Sequence, residues 1–410
     1  MCAMMWPRTV IMGLVSALLL SGCTDDSTKA PDGQAVEIVA GGGSDPAATR
    51  ALDAKLTGFA EDLEVGRDGV VRLLTTVDKR VTVWLFQPDG GLQRIDLGPG
   101  AQAASELAVA DDGTMYISHS VGAVGVVSKV SAAGKVSPVV GSGRSGFTSD
   151  GGAALRPASR IDGITIDRQG RLVYGELRFY SAQNQELGLI RRVEADGRIR
   201  TIAGRSEPFP SSAEYGEGML GSVAPPAGTK AVGWALPGVS QLESLATGDD
   251  GTIFAQSERG VLAFPPDGTV AAVARRRDPE SAPVGDRPFA REGDAADADP
   301  LFLPGSGITA DDRYVAMPVR VARPENLRDV PAGFRWSGSY TPGQQALVDA
   351  AGQNAVGRSL QEVVRLVLPD GSLTTAAWSV QCTALRDGWL YLLTGTKDGQ
   401  LLIGRVKLPG

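Results

Sequence analysis

Hydrophobic and polar positions along the chain follow one recurring scheme: a short β-type run, a tight Asp-Gly-like turn, and a second β-type run. It reads LEVGRDGVVRLLT from Leu63, LAVADDGTMYISH from Leu107 and ITIDRQGRLVYGE from Ile164. It returns as LATGDDGTIFAQS from Leu245, ITADDRYVAMPV from Ile308 and CTALRDGWLYLLT from Cys382, six copies in all. The turns are Asp68-Gly69, Asp112-Gly113, Gln169-Gly170, Asp250-Gly251, Asp311-Asp312 and Asp387-Gly388. Asp and Gly stand there because two-residue hairpin turns need positive φ at one or both central positions.

A second hairpin follows each copy, most clearly in LIRRVEADGRIRTIAG, Leu189 to Gly204. Two hairpins make four antiparallel strands, the unit of a propeller blade. The last copy has only its third strand, LLIGRVKLPG. Its missing fourth strand matches PDGQAVEIVAG, Pro31 to Gly41, near the other end of the chain. The pattern therefore predicts an all-β, six-bladed β-propeller closed by pairing the domain's first strand with its last blade. Closure hides the edges that an open sheet would expose.

A third pattern links the copies. SDGGAALRPASRIDGITID begins at Ser149 and GDAADADPLFLPGSGITAD at Gly293, with a looser version, SDPAATRALDAKL, at Ser44. Asp150 and Asp294 stand fourteen residues before Ile164 and Ile308, and both segments contain Gly-Ile-Thr. Together these segments resemble the NHL-repeat β-propeller family, with its acidic, glycine-rich loop and its Gly-Ile-x-x-Asp and Ile-Arg-x-Val-x-x-Asp-Gly strands. The resemblance spans residues from about 35 to 410 and is strongest from Gly141 to Gly204. It departs at Asp311-Asp312-Arg313, where the turn glycine is missing, and in two long insertions. It implies a fold and leaves function open, because propellers host unrelated activities.

In such a blade the first-to-second and third-to-fourth turns share one face of the disc, here the turn face. The second-to-third and inter-blade loops share the other, the loop face. Every long segment falls there: Arg178 to Gly188, Ser206 to Leu236 and Arg323 to Ser359, the last two being the long loops expected at about 205–236 and 323–359. Binding concentrates on long loops carried by rigid scaffolds. These hold Phe179, Tyr180, Phe209, Tyr215, Trp234, Phe334, Trp336 and Tyr340, with Arg335 beside Trp336. Phe179, Tyr180, Tyr215, Trp234, Phe334, Arg335, Trp336 and Tyr340 form the candidate binding set. The alternative is that the aromatics fold down and seal the channel mouth.

Composition narrows the chemistry. The 410 residues carry a formal net charge of −7, which argues against nucleic acid as a partner. A single histidine, His119, excludes a His-rich zinc or iron site. No Gly-x-Ser-x-Gly elbow or neighbouring acid gives that imidazole a nucleophile to activate. Gly141 to Gly146 lacks the Lys-Ser/Thr ending of a phosphate loop. Asp294, Asp297 and Asp299 are dense but lack calcium-loop spacing, and Asp150 and Asp294 read as caps on the inter-blade turn. Arg275-Arg276-Arg277 is partly neutralised by Asp278 and Glu280. No catalytic residue, metal ligand or cofactor is assigned.

The first 22 residues read as an export signal. Arg8 precedes the twelve-residue apolar run Thr9 to Leu20, too short to span about 30 Å of hydrocarbon. Leu20-Ser21-Gly22-Cys23 resembles a bacterial lipobox, which implies cleavage before Cys23 and lipidation of its sulfur. Acyl chains contribute about 0.8 kcal/mol per buried CH₂, enough in combination to hold a protein on a membrane. Residues 23–34 then form a lipidated cysteine and polar tether, and residues 35–410 one propeller domain. Cys382 would be the single free thiol, set in an apolar run and read as structural. Of 40 basic residues 32 are Arg, a bias that fits a GC-rich bacterial genome.

These readings predict a protein lipid-anchored at a cell membrane and facing outward. It would bind a protein or cell-envelope ligand through its loop face without catalysis. The alternative, from six-bladed relatives by fold, is a Ca²⁺-dependent lactonase- or lyase-like enzyme with inward-facing Asp and Glu in the channel. The lyase type uses histidines that this chain does not supply.

Overall fold

The computed structural model describes residues 37–122, 124–211, 214, 225–236, 244–257, 260–275, 307–322, 360–378, 382–395 and 400–408. Six four-stranded antiparallel sheets succeed one another along the chain. Strand β1 (Glu37–Gly41) comes first. Blade 1 follows as β2 (Phe59–Val65), β3 (Val71–Val77), β4 (Arg80–Phe86) and β5 (Leu92–Asp96). Blade 2 is β6 (Glu106–Val109), β7 (Met115–Val121), β8 (Val124–Val130) and β9 (Val136–Val140). Blade 3 is β10 (Arg160–Ile166), β11 (Leu172–Tyr180), β12 (Gln185–Val193) and β13 (Ile199–Gly204). Blade 4 is β14 (Ser244–Thr247), β15 (Ile253–Ser257), β16 (Gly260–Phe264) and β17 (Ala271–Arg275). Blade 5 is β18 (Thr309–Ala310), β19 (Val315–Ala322), β20 (Leu360–Val367) and β21 (Leu373–Trp378). Blade 6 is β22 (Cys382–Arg386), β23 (Trp389–Gly395) and β24 (Leu401–Lys407), completed by β1 in the order β1-β24-β23-β22.

The ring closes as its repeats predict: Glu37 lies opposite Arg405 and Gly41 opposite Leu402. The turns form through their expected chemistry. Gly69 and Gly113 take φ of 72° and 80°, and each preceding Asp accepts the N–H two residues on, from Val70 at 3.1 Å and Thr114 at 2.9 Å. The glycine-free turn of blade 5 is held by Asp311 instead. Its Oδ1 accepts the N–H groups of Arg313 and Tyr314, each at 2.8 Å.

Alternation along each strand sends side chains to both neighbouring blades. In β7, Met115 and Ile117 pack with Leu74 and Val83 of blade 1, while Tyr116 packs with Ile161 and Ile164 of blade 3. The core is thus a set of apolar wedges between adjacent sheets. Fully burying one such Leu or Ile contributes about 1.5–3 kcal/mol. Close approach between blades demands small residues: a Cβ on Gly125 would lie 2.4 Å from the Ile161 nitrogen.

One predicted loop is a strand pair. Arg178 to Gly188 belongs to β11 and β12, which run on in register from Leu177 opposite Gly188 to Tyr180 opposite Gln185. The pairing persists because buried Gln185 and Leu187, opposite Tyr180 and Arg178, give the hairpin its own inward-facing side. Among the described residues, no helix is long and apolar enough to cross a membrane.

Candidate functional site

The innermost strands β2, β6, β10, β14, β18 and β22 touch in sequence around the channel. Each pairs with a sheet neighbour on one side only, so N–H groups on its other edge need acceptors. The residue just before the first core position supplies them. The Asp62 Oδ2 atom accepts from the Leu107 N–H at 2.8 Å, joining blade 1 to blade 2. The Glu106 Oε2 atom accepts from Ile164 at 2.7 Å, joining blade 2 to blade 3. Ser244 Oγ accepts from Ile308 at 3.1 Å, joining blade 4 to blade 5. Thr309 Oγ1, further along, accepts from Leu385 at 2.9 Å.

Between blades 3 and 4 the belt changes. A bulge at Asp162–Ile164 places Gly163 at the equivalent position. Arg160 Nε donates to Asp162 Oδ1 at 2.8 Å, and the other carboxyl oxygen is buried with no partner. A matching bulge at Ala60–Asp62 sets Glu61 out of register.

The belt concentrates acid at the channel. Burial pushes Asp62 up to about 7. Burial, with the charge of Asp62, takes Glu64 to about 8. Burial and the neighbouring Asp62, Asp162 and Glu64 hold Glu106 well above the carboxylate range. Burial also raises Asp162, against the pull of Arg160. Asp62 and Glu64 therefore hold and exchange protons near neutrality. Among the described residues, no group of three or more His, Cys, Asp or Glu could hold a metal ion.

The second feature stands on the loop face. Beyond Leu177 the β11–β12 hairpin leaves its flanking strands and projects as a two-stranded ribbon. There the Arg178 guanidinium lies 3.5 Å from the Phe147 ring centroid and 4.3 Å from that of Tyr180. Arg178 Nη1 and the Tyr180 hydroxyl both donate to the Ser206 carbonyl. Gln185 binds the backbone of Phe209 twice, accepting its N–H at 2.7 Å and donating to its carbonyl at 3.1 Å. The inter-blade segment is thereby fixed against the ribbon. Phe179, 58% exposed, points away from this support.

Beneath the ribbon lies an ion network that is buried at Arg191 and Glu176 and open to solvent at Asp150. Arg191, fully buried, donates to Glu176 Oε2 at 2.7 Å, to Asp150 Oδ1 at 2.8 Å and to the Thr148 carbonyl at 2.6 Å. Asp150 also accepts from the Thr201 N–H at 3.0 Å and its hydroxyl at 2.8 Å. It latches the inter-blade loop to β12 and β13, the role of a cap.

Phe179 and Tyr180 are thus brought together with Arg178 and Phe147. Trp234 is not: it packs against the core between blades 3 and 4, its Nε1 buried and unpartnered. Tyr215, Phe334, Arg335, Trp336, Tyr340, Asp294 and the lipidation candidate Cys23 lie outside the described residues. His119 is buried, its Nε2 2.8 Å from Ser128 Oγ, and burial depresses its pKa. Sequence reasoning missed Phe147 and the acids Asp62, Glu64, Glu106 and Asp162. The available signal was a polar residue directly before the first apolar position of several repeats.

No family model matches the chain, and no curated protein does. Among solved structures it is similar to a protein of unknown function from Bacteroides thetaiotaomicron, at 12% identity over 91% of this chain and 76% of that one, with a TM-score of 0.50. It is also similar to a gluconolactonase from Xanthomonas campestris, at 14% identity over 94% and 99% of the two chains and a TM-score of 0.44. A third is the virginiamycin B lyase of Staphylococcus aureus, at 13% identity over 87% and 98% and a TM-score of 0.40. The first shows a shared fold, and at identities this low no activity passes to this chain.

Proposed function

We propose that this chain is a lipid-anchored, outward-facing binding protein of the NHL-repeat kind, which holds a protein or cell-envelope ligand on its loop face. The observation that carries this reading is the blade 3 ledge. A ribbon braced by Arg178, Tyr180 and Gln185 holds Phe179 out in water. A rigid aromatic surrounded by hydrogen-bonding groups is the usual make-up of an interface anchor. The lipobox-like segment supports the anchor at Cys23, and the −7 charge sets nucleic acid aside.

The test is photo-crosslinking in intact bacteria that lipidate the protein, with the probe residue placed at Phe179 or, as a control, at the exposed Asp111 on the turn face. A discrete adduct from position 179 and none from 111 is expected. Equal adducts from both, or none from 179, would move the site elsewhere. In the same cells Cys23→Ser should shift the protein from the membrane fraction to the soluble one.

A second reading places an enzyme site in the channel, favoured by acids that keep a proton near neutrality. Its calcium-dependent form predicts a saturable rise in Tm between EDTA and millimolar Ca²⁺. The binding reading predicts no such rise.

A further inference from the structure

Blades 1, 2 and 3 are joined at the channel by carboxylates, whereas blades 4 and 5 are joined at the equivalent position by a hydroxyl. Asp62 bridges from β2 to the Leu107 N–H of β6, and Glu106 from β6 to the Ile164 N–H of β10. Ser244 makes the same bridge from β14 to Ile308 and does not titrate. We propose that Asp62 and Glu106 form a proton-dependent fastener, which holds the sector of blades 1 to 3 closed while at least one of them is protonated and slackens it when both ionise.

The surroundings explain why ionisation strains this sector. On β2 the pair is faced by Glu61 and Glu64, and on β10 by Asp162. Opposing cations come from Arg72 on β3 and Arg386 on β22, which act on Glu64, and from Arg160 on β10. Arg160 is already bound to Asp162 and also acts on Glu186 of β12. Arg72 is committed to Asp68, at 2.6 Å. Full ionisation would therefore set Asp62, Glu64 and Glu106 against one another and against Asp162, with Arg160 bound to Asp162 alone of the four and Arg72 and Arg386 drawn also to Asp68 and Asp249. Like charges in a poorly solvated site repel strongly. The repulsion acts on β2, β6 and β10, the strands that the two bonds join. Because the ledge stands on blade 3, the fastener also sets how firmly it is seated on blade 2.

Hydrogen exchange resolved to single amides, on the folded chain between pH 6 and 8.5 and corrected for intrinsic rates, tests this directly. Protection at Leu107 and Ile164 should fall by about tenfold or more, the factor of one pKa unit. Protection at Ile308 should stay constant. Asp62→Asn and Glu106→Gln keep an accepting oxygen but lose the charge, and should flatten the pH dependence at Leu107 and Ile164. Parallel behaviour of all three amides in the unaltered protein would overturn the proposal, even if neither variant folds. So would a wild-type pH slope persisting in Asp62→Asn or Glu106→Gln.

Discussion

Arg191 lies wholly out of solvent with two carboxylates and a carbonyl around its guanidinium. Removing one partner from a buried ion pair leaves the other charge uncompensated, at about 3–5 kcal/mol. Arg191→Met should therefore destabilise the protein by about that amount in denaturant unfolding, and adding Glu176→Gln should recover part of the loss. The channel acids act with the opposite sign of pH dependence to the paired ones. Asp62, Glu64 and Glu106 all bind protons more tightly folded than unfolded; the stability that Asp62 and Glu64 favour is complete below about pH 4 and is lost as pH rises through 7 to 8. Asp68 is held low by its bond to Arg72, and Asp150, despite burial, by Thr201 and Arg191. Their stabilisation is present above pH 4 and is lost as pH falls below it. Thermal melts should show a maximum near pH 5 and a decline towards pH 8.5, and Asp62→Asn should remove part of that decline.

At the scale of single elements, closure outweighs the charges that decorate it. Glu37 meets Arg405 through two contacts of 2.9 and 3.0 Å on an exposed edge, a pair worth about 0–1 kcal/mol. Glu37→Gln should hardly move the melting curve. Deleting residues 37–41 would bare the whole edge of β24, and aggregation measured by light scattering should follow. Gly125→Ala should cost several kcal/mol, since its Cβ meets the backbone of the next blade rather than a side chain that can swing away. The strands were legible because alternation about a tight turn repeats six times, four of the turns being Asp-Gly, and the closing strand because one repeat lacked its fourth member. The β11–β12 ribbon was not, since Arg178, Phe179 and Tyr180 look like loop residues until Gln185 and Leu187 supply their buried side. Asp62 and Glu106 were overlooked for a related reason. An acid at the mouth of a strand resembles a boundary residue, and only the neighbouring blade's unpaired N–H gives it a task.

Across the whole molecule, repetition made the scaffold readable, and its absence kept the ligand hidden. The turn face is written by local rules that recur in every blade. The ledge combines Phe147, Tyr180 and Phe209 from different connections, each occurring once, so no internal comparison picks it out. The manner of closure also sets an order of events. The strand that seals the ring is the first part of the propeller to be synthesised, yet its partner β24 is nearly the last. A chain exported from its N-terminus would carry that strand across early and leave it waiting, unpaired, until some 360 further residues had followed. Closure of the ring therefore waits for the last strands, and chaperones that shelter exposed β-edges would find their task at this interval.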